Sequence, residues 1–381
     1  MKIVFISNYY NHHQAPFCQA MYAHLGDDFT FVQTEEMEEE RMNMGWKSDY
    51  LPLFVQKSYG DLTVEEKCRK LIDDADVVII GSAPNTFVRN RIKTGKIVIR
   101  YSERQLKKGR ELWKYPYRYL KWHIRNPRNA NVYLLCASAY AASDYAQFGL
   151  FQGKSYRWGY FPEVKRYPDI CRLIADKRPA SILWVARMIK WKHPELPVLV
   201  AQRLMQENIP FEMTLIGGGK LEPKIQKMIR KLGLENHVKM LGVMTPEQVR
   251  EYMEQSQIFM FTSDRNEGWG AVLNESMNSG CAVVADRAIG ATPFLLNDGE
   301  NGLIYDTCDV DGLYERVKYL LDHPDEARKL GRRAYETITE EWNAETAAQR
   351  LLELCESLLE DQRSPDLYKS GPCSRAEILK D

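Results

Sequence analysis

The sequence predicts an α/β protein made of two Rossmann-like halves, each built around a parallel sheet, and three observations predict it. Apolar runs of strand length, such as Lys2–Ser7, Asp76–Ile80 and Ile97–Tyr101, alternate with segments long enough for a helix. Parallel strands need that spacing for their crossovers. The alternation pauses in a polar, proline-bearing stretch from Pro162 to Pro179 and restarts at Ser181–Ala186, which reads as a hinge and a fresh first strand. The 381 residues are long for one core and comfortable for two. The expected boundaries are 1–165 and 166–340, followed by a helix over 341–362 and a flexible polar tail over 363–381.

Composition narrows the class further. Fifty-two basic and fifty-two acidic residues cancel, which argues against a nucleic-acid binder by net charge. Eight cysteines are scattered, with no Cys-x-x-Cys and no neighbouring histidines. They read as reduced core cysteines of a cytosolic protein, not as a disulfide framework or a zinc site. The opening MKIVFISNYY is too short an apolar run for a signal peptide, and no run has transmembrane length. The expected location is cytoplasmic, with peripheral contact at the inner face of a membrane left open.

In the first half, Lys2–Ser7 is the opening strand. The loop Asn8–Pro16 follows, then a helix to about Leu25. His13 and Gln14 sit at this strand-to-helix turn, placed for a phosphate or an acceptor; the alternative is an ordinary exposed loop. Phe29–Gln33 is a strand, Val64–Asp73 a helix, and Asp76–Ile80 a buried strand. Ile97–Tyr101 ends in Ser102, Glu103 and Arg104, at the carboxyl edge where such sheets hold ligands. A surface ion pair between Glu103 and Arg104 is the competing reading. Asn131–Cys136 and Lys154–Trp158 are the remaining strands, with a helix over Ser138–Phe148.

Between 104 and 128 the charge balance breaks. Nine lysines and arginines face one acid, Glu111, with Trp113, Tyr115, Tyr117, Tyr119 and Trp122 interleaved. Pro116 suits the first turn of a helix on which Arg118, Lys121 and Arg125 share a face. Such a segment suits an anionic membrane surface or an acceptor. It equally describes a solvated basic face whose aromatics pack inward. Nucleic-acid binding by this patch has no supporting motif.

In the second half, Arg187 and Lys192 follow the strand Ser181–Ala186. Cations are unusual at a helix start, because helix amino ends repel them. Phe211–Ile216 ends in Gly217-Gly218-Gly219-Lys220, which is neither a Walker A loop nor the dinucleotide fingerprint. A helix over Leu221–Leu232 and a strand over Val238–Gly242 lead to Val243, Met244 and a capping box formed by Thr245 and Gln248. The strand Ile258–Phe261 then enters a loop with Glu267, Gly268, Trp269 and Gly270, followed by a helix with Glu275 and a strand over Cys281–Ala285. Strand, glycine turn, helix and strand form a unit that binds phosphorylated ligands. Two carboxylates eight positions apart suit sugar hydroxyls, although most such pairs are surface charge.

The run Glu267-Gly-Trp-Gly-Ala-Val-Leu-Asn-Glu275 resembles the E-x7-E signature of retaining nucleotide-sugar glycosyltransferases, family 4 (group 1). The resemblance implies the GT-B fold, two facing Rossmann-like domains with a last helix, here 341–362, crossing back to the first. It implies an acceptor-binding amino-terminal domain and a carboxyl-terminal domain that binds a nucleotide-diphosphate sugar, UDP-linked by expectation. Arg187 and Lys192 would meet the donor diphosphate, where leaving-group charge accumulates. Glu267 would meet the donor sugar and Glu275 the ribose hydroxyls. Gly218 and Gly219 would lie against the donor, Val243 and Met244 against the base, and Gly268, Trp269, Gly270, Ala271 and Val272 along the sugar and diphosphate. Glu103 stands near the position where relatives place a histidine facing the donor sugar. The acceptor is a hydroxyl compound, with a lipid-linked one in view and envelope polysaccharide or glycolipid assembly as the setting. Neither a metal nor another cofactor is expected. Two further departures stand out: His12, His13 and Gln14 replace a glycine pair, and Ala186 and His193 replace two glycines. The rival readings are a sugar-nucleotide epimerase, which would lack the E-x7-E turn, and a non-catalytic nucleotide-sugar sensor, which would lose the cations. A glycan phosphorylase would need a pyridoxal-phosphate lysine and a longer chain.

Overall fold

The computed structural model describes residues 1–37, 51–361 and 363–379. Its strands form two sheets, and every pairing recorded within them is parallel. The chain divides into two units, 1–163 together with 342–381, and 164–341.

The first unit holds β1 (Ile3–Ser7), β2 (Phe29–Gln33), β3 (Val55–Lys57), β4 (Val77–Ile80), β5 (Ile97–Ser102), β6 (Val132–Cys136) and β7 (Ser155–Arg157). Their order is β3-β2-β1-β4-β5-β6-β7. β1, β4 and β6 are buried at every position, as strands covered on both faces must be, so they read as unbroken apolar runs. Ile3 lies opposite both Phe29 and Val77, which fixes the central register. Phe5 anchors the core edge-on to Phe17, Phe31 and Tyr101, with centroids 6.2, 5.1 and 5.9 Å away.

The second unit holds β8 (Arg178–Val185), β9 (Glu212–Ile216), β10 (Val238–Met240), β11 (Ser256–Phe261), β12 (Ala282–Asp286) and β13 (Leu303–Tyr305), in the order β10-β9-β8-β11-β12-β13. Trp184, Met213, Leu215, Met260 and Val284 belong to its core. Thr245 and Gln248 cap the helix Pro246–Gln255 reciprocally, satisfying two otherwise unpaired donors. In each sheet the strand order reverses once, at β1/β4 and at β8/β11. Parallel sheets hold their ligands beyond the carboxyl ends of the strands at such a switch point.

Three expectations need correction. The stretch Pro162–Pro179 holds the boundary between the two units, at 163/164, but is not irregular throughout. Asp169 caps a helix over Ile170–Ala175, and β8 already begins at Arg178. The tail is not loose where it is described. Arg157 N donates to Ser374 O at 2.7 Å, and Cys373 N and Ala376 N donate to Arg157 O and Ser155 O at 2.9 and 3.1 Å. Edge strand β7 thus gains an antiparallel partner at Arg375, which supplies the main-chain bonds that made the polar tail worth ordering. Residues 362, 380 and 381 lie outside the described part. Finally, six cysteines are buried but Cys171 and Cys308 are exposed. The helix Ala344–Asp361 packs on Ala15–Leu25 within the first unit.

Candidate active site

The second sheet's switch point gathers the strongest chemistry. β8 leads into Arg187 and a single 3-10 turn, Lys190–Lys192, while β11 leads into Thr262 and the Glu267 loop. Trp184 Nε1 donates to Thr262 Oγ1 at 2.8 Å, and Thr262 Oγ1 donates to the Lys192 carbonyl at 2.7 Å. These bonds tie the two strand ends together. Lys192 Nζ donates to Glu267 Oε2, each side chain only 11% exposed. The same ammonium lies 4.4 Å from the Trp191 ring centre and 5.7 Å from that of Phe261. The exposed Arg187 guanidinium is 5.9 Å from Trp191, so one indole face or edge serves both cations.

His193 continues this turn in the left-handed region, at φ 48°. Its ring nitrogens lie 3.0 Å from Glu195 and 3.2 Å from Asp264. Hydrogen bonding to Glu195 foremost, and to Asp264, holds its pKa above the ordinary value against the opposing effect of burial. Asp264 N in turn donates to the Trp191 carbonyl at 3.0 Å. Asp286, at the end of β12, is pushed up to about 6 by burial, although Thr307 and Ala288 hydrogen-bond its carboxylate.

Backbone shape explains the glycines. Gly217 has φ +127°, and a Cβ there would stand 2.0 Å from the Ala186 carbonyl oxygen. At Gly219, φ +148°, it would stand 2.8 Å from that of Met188. Gly218 faces the Val243 side chain instead. Gly270, at φ +95°, allows the loop to pass against the Phe261 ring, 2.5 Å from a Cβ placed there. Val243 is exposed and Met244 half-buried just beyond β10.

Trp269 lies in the interior. The residue is 1% exposed and its indole N–H donates to Asn274 Oδ1 at 2.9 Å. The side chain is therefore an interior anchor for the loop, and the Trp269 carbonyl accepts from Ala291 N at 3.2 Å. Gly268 is buried as well, while Ala271 and Val272 are half-buried where the helix Val272–Asn278 begins. Glu275 is half-buried; burial raises its carboxyl pKa while Arg250 pulls the other way. Arg250 donates to the Glu275 carbonyl at 3.3 Å and to Asn278 Oδ1 at 2.9 Å.

The first unit carries a separate cluster at the carboxyl ends of its strands. Glu103 does not pair with Arg104. Arg104 is buried against Asp144 at 3.3 Å, whereas Glu103 accepts from Lys107 Nζ at 2.7 Å and from the Tyr160 hydroxyl. The His13 ring stacks on Tyr160 at 5.6 Å and 18°. Tyr160 thus joins His13 to Glu103 across 90 residues of sequence. Gln14 is half-buried before the helix Ala15–Leu25, its Oε1 without a hydrogen-bond partner among the described residues. Sequence reading missed Tyr160, Lys107, Arg250 and the His193 clamp. An aromatic directly after the last strand, in Gly-Tyr-Phe-Pro-Glu, was the available signal for Tyr160.

Two parallel Rossmann-like sheets describe an α/β protein of the GT-B class in fold. Residues 172–337 match the family model for glycosyl transferases group 1. Among curated proteins, the trehalose synthase of Pyrococcus horikoshii is 29% identical over 196 residues, covering 49% of this chain and 46% of that protein. The poly(ribitol-phosphate) alpha-N-acetylglucosaminyltransferase of Staphylococcus aureus is 28% identical over 174 residues, 45% of this chain and 34% of that one. The chain spans about half the length of the first of these, and less of the second. In fold it is similar to HepE of Anabaena, solved with UDP, at TM-score 0.69 and 16% identity over 94% of this chain and 100% of that one. It is similar also to the pneumococcal O-GlcNAc transferase GtfA, solved with UDP and GlcNAc, at TM-score 0.66 and 11% identity over 95% and 99%.

Proposed function

We propose that the protein is a retaining glycosyltransferase that moves a hexosyl group from a nucleotide-diphosphate sugar, UDP-linked, to a hydroxyl acceptor, in polysaccharide or glycolipid assembly. The observation that carries this reading is the Lys192–Glu267 pair at the β8/β11 switch point, with Arg187 beside it. As the glycosidic bond breaks, negative charge collects on the departing diphosphate. Lys192 and Arg187 are preorganised cations for that charge, and little reorganisation is needed when it appears. Glu267 orients Lys192 and presents its carboxylate to hydroxyls of the donor sugar, while Glu275 takes the ribose diol. Gly218 and Gly219 let the main chain lie against the donor, and Val243 and Met244 flank the base. In a same-face reaction the leaving phosphate takes the acceptor proton, so the carboxylates have no obligatory proton to carry. Glu103 and His13, joined through Tyr160, are assigned to recognition of the reacting sugar or acceptor. The relatives support this class: one acts as an α-N-acetylglucosaminyltransferase by name, and two similar folds were solved with UDP.

The test is calorimetric binding of UDP, GDP and a panel of their sugars, with and without EDTA, followed by transfer to simple glycoside acceptors and NMR of the product anomer. UDP and one UDP-sugar should bind alike with and without EDTA, Glu275→Ala should weaken both, and the product should keep the donor's anomeric configuration. Binding unaffected by Glu275→Ala, or an inverted product, would refute the assignment.

A further inference from the structure

The helix Tyr115–Arg125 has two unlike faces. One packs on its own unit: Trp122 is buried, 4.5 Å from Phe148 and 5.1 Å from Tyr145, and Tyr115 stacks on Phe148 at 4.6 Å. The other carries Tyr117, Leu120 and Ile124, continued by Trp113 in the preceding turn. Spacings of four, three and four set these residues in one stripe. All four are 63–78% exposed. Leu112 adds a fifth exposed apolar side chain, 75% accessible, at the start of the turn. An apolar stripe of this length turned to water calls for an occupant.

The surroundings say which. Lys114 Nζ lies 4.5 Å from the Trp113 ring centre and Lys121 Nζ 5.4 Å from that of Tyr117, so the rim aromatics carry cations. The one acid, Glu111, is already neutralised by Lys114 at 2.6 Å and Arg118 at 2.5 Å. Lys108, Arg110, Lys121, Arg125 and Arg128 have no carboxylate partner among the described residues. A second copy docked on the same stripe through a two-fold contact would oppose these cations to themselves. Aromatic and apolar side chains flanked by lysine and arginine instead match the headgroup layer of an anionic bilayer. Among the described residues no helix is long and apolar enough to cross a membrane, so contact is with its surface.

We propose that residues 108–128 form a surface-seated membrane anchor for anionic lipid, with Trp113, Tyr117, Leu120 and Ile124 buried at headgroup depth and the five cations against lipid phosphates. The inference is independent of glycosyl transfer, since binding needs neither donor nor acceptor.

Co-sedimentation of the full chain with vesicles of phosphatidylcholine, alone or mixed with phosphatidylglycerol, tests it. Binding should require phosphatidylglycerol and weaken with salt. It should fall at least about tenfold both in Leu120→Gln/Ile124→Gln and in Lys121→Gln/Arg125→Gln/Arg128→Gln. Quenching of tryptophan fluorescence by brominated lipid should diminish in Trp113→Phe. The substituted side chains are exposed apart from the half-buried Lys121, so unchanged thermal unfolding verifies that each variant is folded. Absence of binding to mixed vesicles, equal binding to pure phosphatidylcholine, or full binding by either multiple variant overturns the proposal. So does a lipid-free dimer that Leu120→Gln/Ile124→Gln dissolves, which would give the stripe to a second copy.

Discussion

Lys192 Nζ donates to Glu267 Oε2 across 75 residues of sequence, and the two side chains are equally shielded from water. Removing one partner leaves the other a charge without its counter-ion in a mostly desolvated place. Lys192→Ala is therefore expected to cost about 1–3 kcal/mol of stability and to lower turnover about 10²–10³-fold, the scale of one lost transition-state charge contact. The double variant Lys192→Met/Glu267→Gln should recover the stability and not the turnover. Thermal unfolding read beside the initial transfer rate separates the two effects. Recovery of both would make the pair purely structural.

Asp286 and His193 both make stability fall as pH rises, but removing them acts with opposite sign. The folded pKa of Asp286, about 6, is above its ordinary 3.8. The folded state therefore holds this proton more tightly, and the penalty for ionising it grows as pH rises above 3.8 and is complete above about 6. A shift near two units corresponds to about 3 kcal/mol at most. Asp286→Asn keeps an oxygen for the Thr307 hydroxyl and the Ala288 N–H, 2.6 and 2.8 Å away. It should raise the unfolding temperature at pH 8 and lose that advantage progressively between pH 6 and pH 4. His193 is raised as well, but as a cation gaining partners. Its stabilisation is complete below pH 6.5 and fades as pH climbs through the folded pKa. His193→Asn, which tolerates the left-handed backbone, should cost more at pH 6 than at pH 9. Melting curves of both variants across this range decide each sign.

The parallel strands were legible because burial on both faces writes itself as unbroken Val and Ile runs, as in Val77–Ile80. The glutamates of the signature were legible from their spacing, and Arg187 and Lys192 from their position after a strand. β3 was not: it has three residues, two of them exposed, and no apolar period. Nor was the Tyr160 bridge to His13 and Glu103, since contacts across 57 and 147 residues leave no local pattern. The surroundings of Trp269 were hidden for a related reason. Its place in the signature suggested a ligand contact, whereas its indole fills the interior beneath the loop. Main-chain needs hid the docked tail, because a polar segment that pairs with an edge strand looks like a solvated one.

The three consecutive glycines should not behave alike. An alanine at 217 places Cβ 2.0 Å from the backbone oxygen of Ala186, in a left-handed conformation, and neither the carbonyl nor the strand end can yield. Gly217→Ala is expected to destabilise the second unit by about 2–4 kcal/mol or prevent its folding. Gly218→Ala meets only the Val243 methyl at 3.0 Å and the Glu222 carboxylate at 3.3 Å, both able to move. It should stay within about 1 kcal/mol of the parent while weakening nucleotide-sugar binding several-fold. Parallel calorimetric and denaturation measurements on the two variants test the contrast; equal loss of stability in both would contradict it.

A chain ending at residue 362 should be less stable and more prone to associate than the full one. β7 is the outermost strand of the first sheet, and the tail covers it through the bonds of Cys373, Ser374 and Ala376. Arg375 adds a guanidinium 4.9 Å from the Tyr156 ring centre and a 2.7 Å bond to Ser364 Oγ. Cys373 is buried at 1% exposure. Truncation strips three main-chain bonds and this apolar contact, about 2–4 kcal/mol in sum at roughly 1 kcal/mol per bond. It also leaves unpaired N–H and C=O groups along an edge, a template for pairing with another chain. Light scattering should show concentration-dependent association of the truncated chain, and Arg375→Ala in the full chain should show the stability loss in part. Truncation with an unchanged unfolding temperature and no association would show that the tail merely rests on β7.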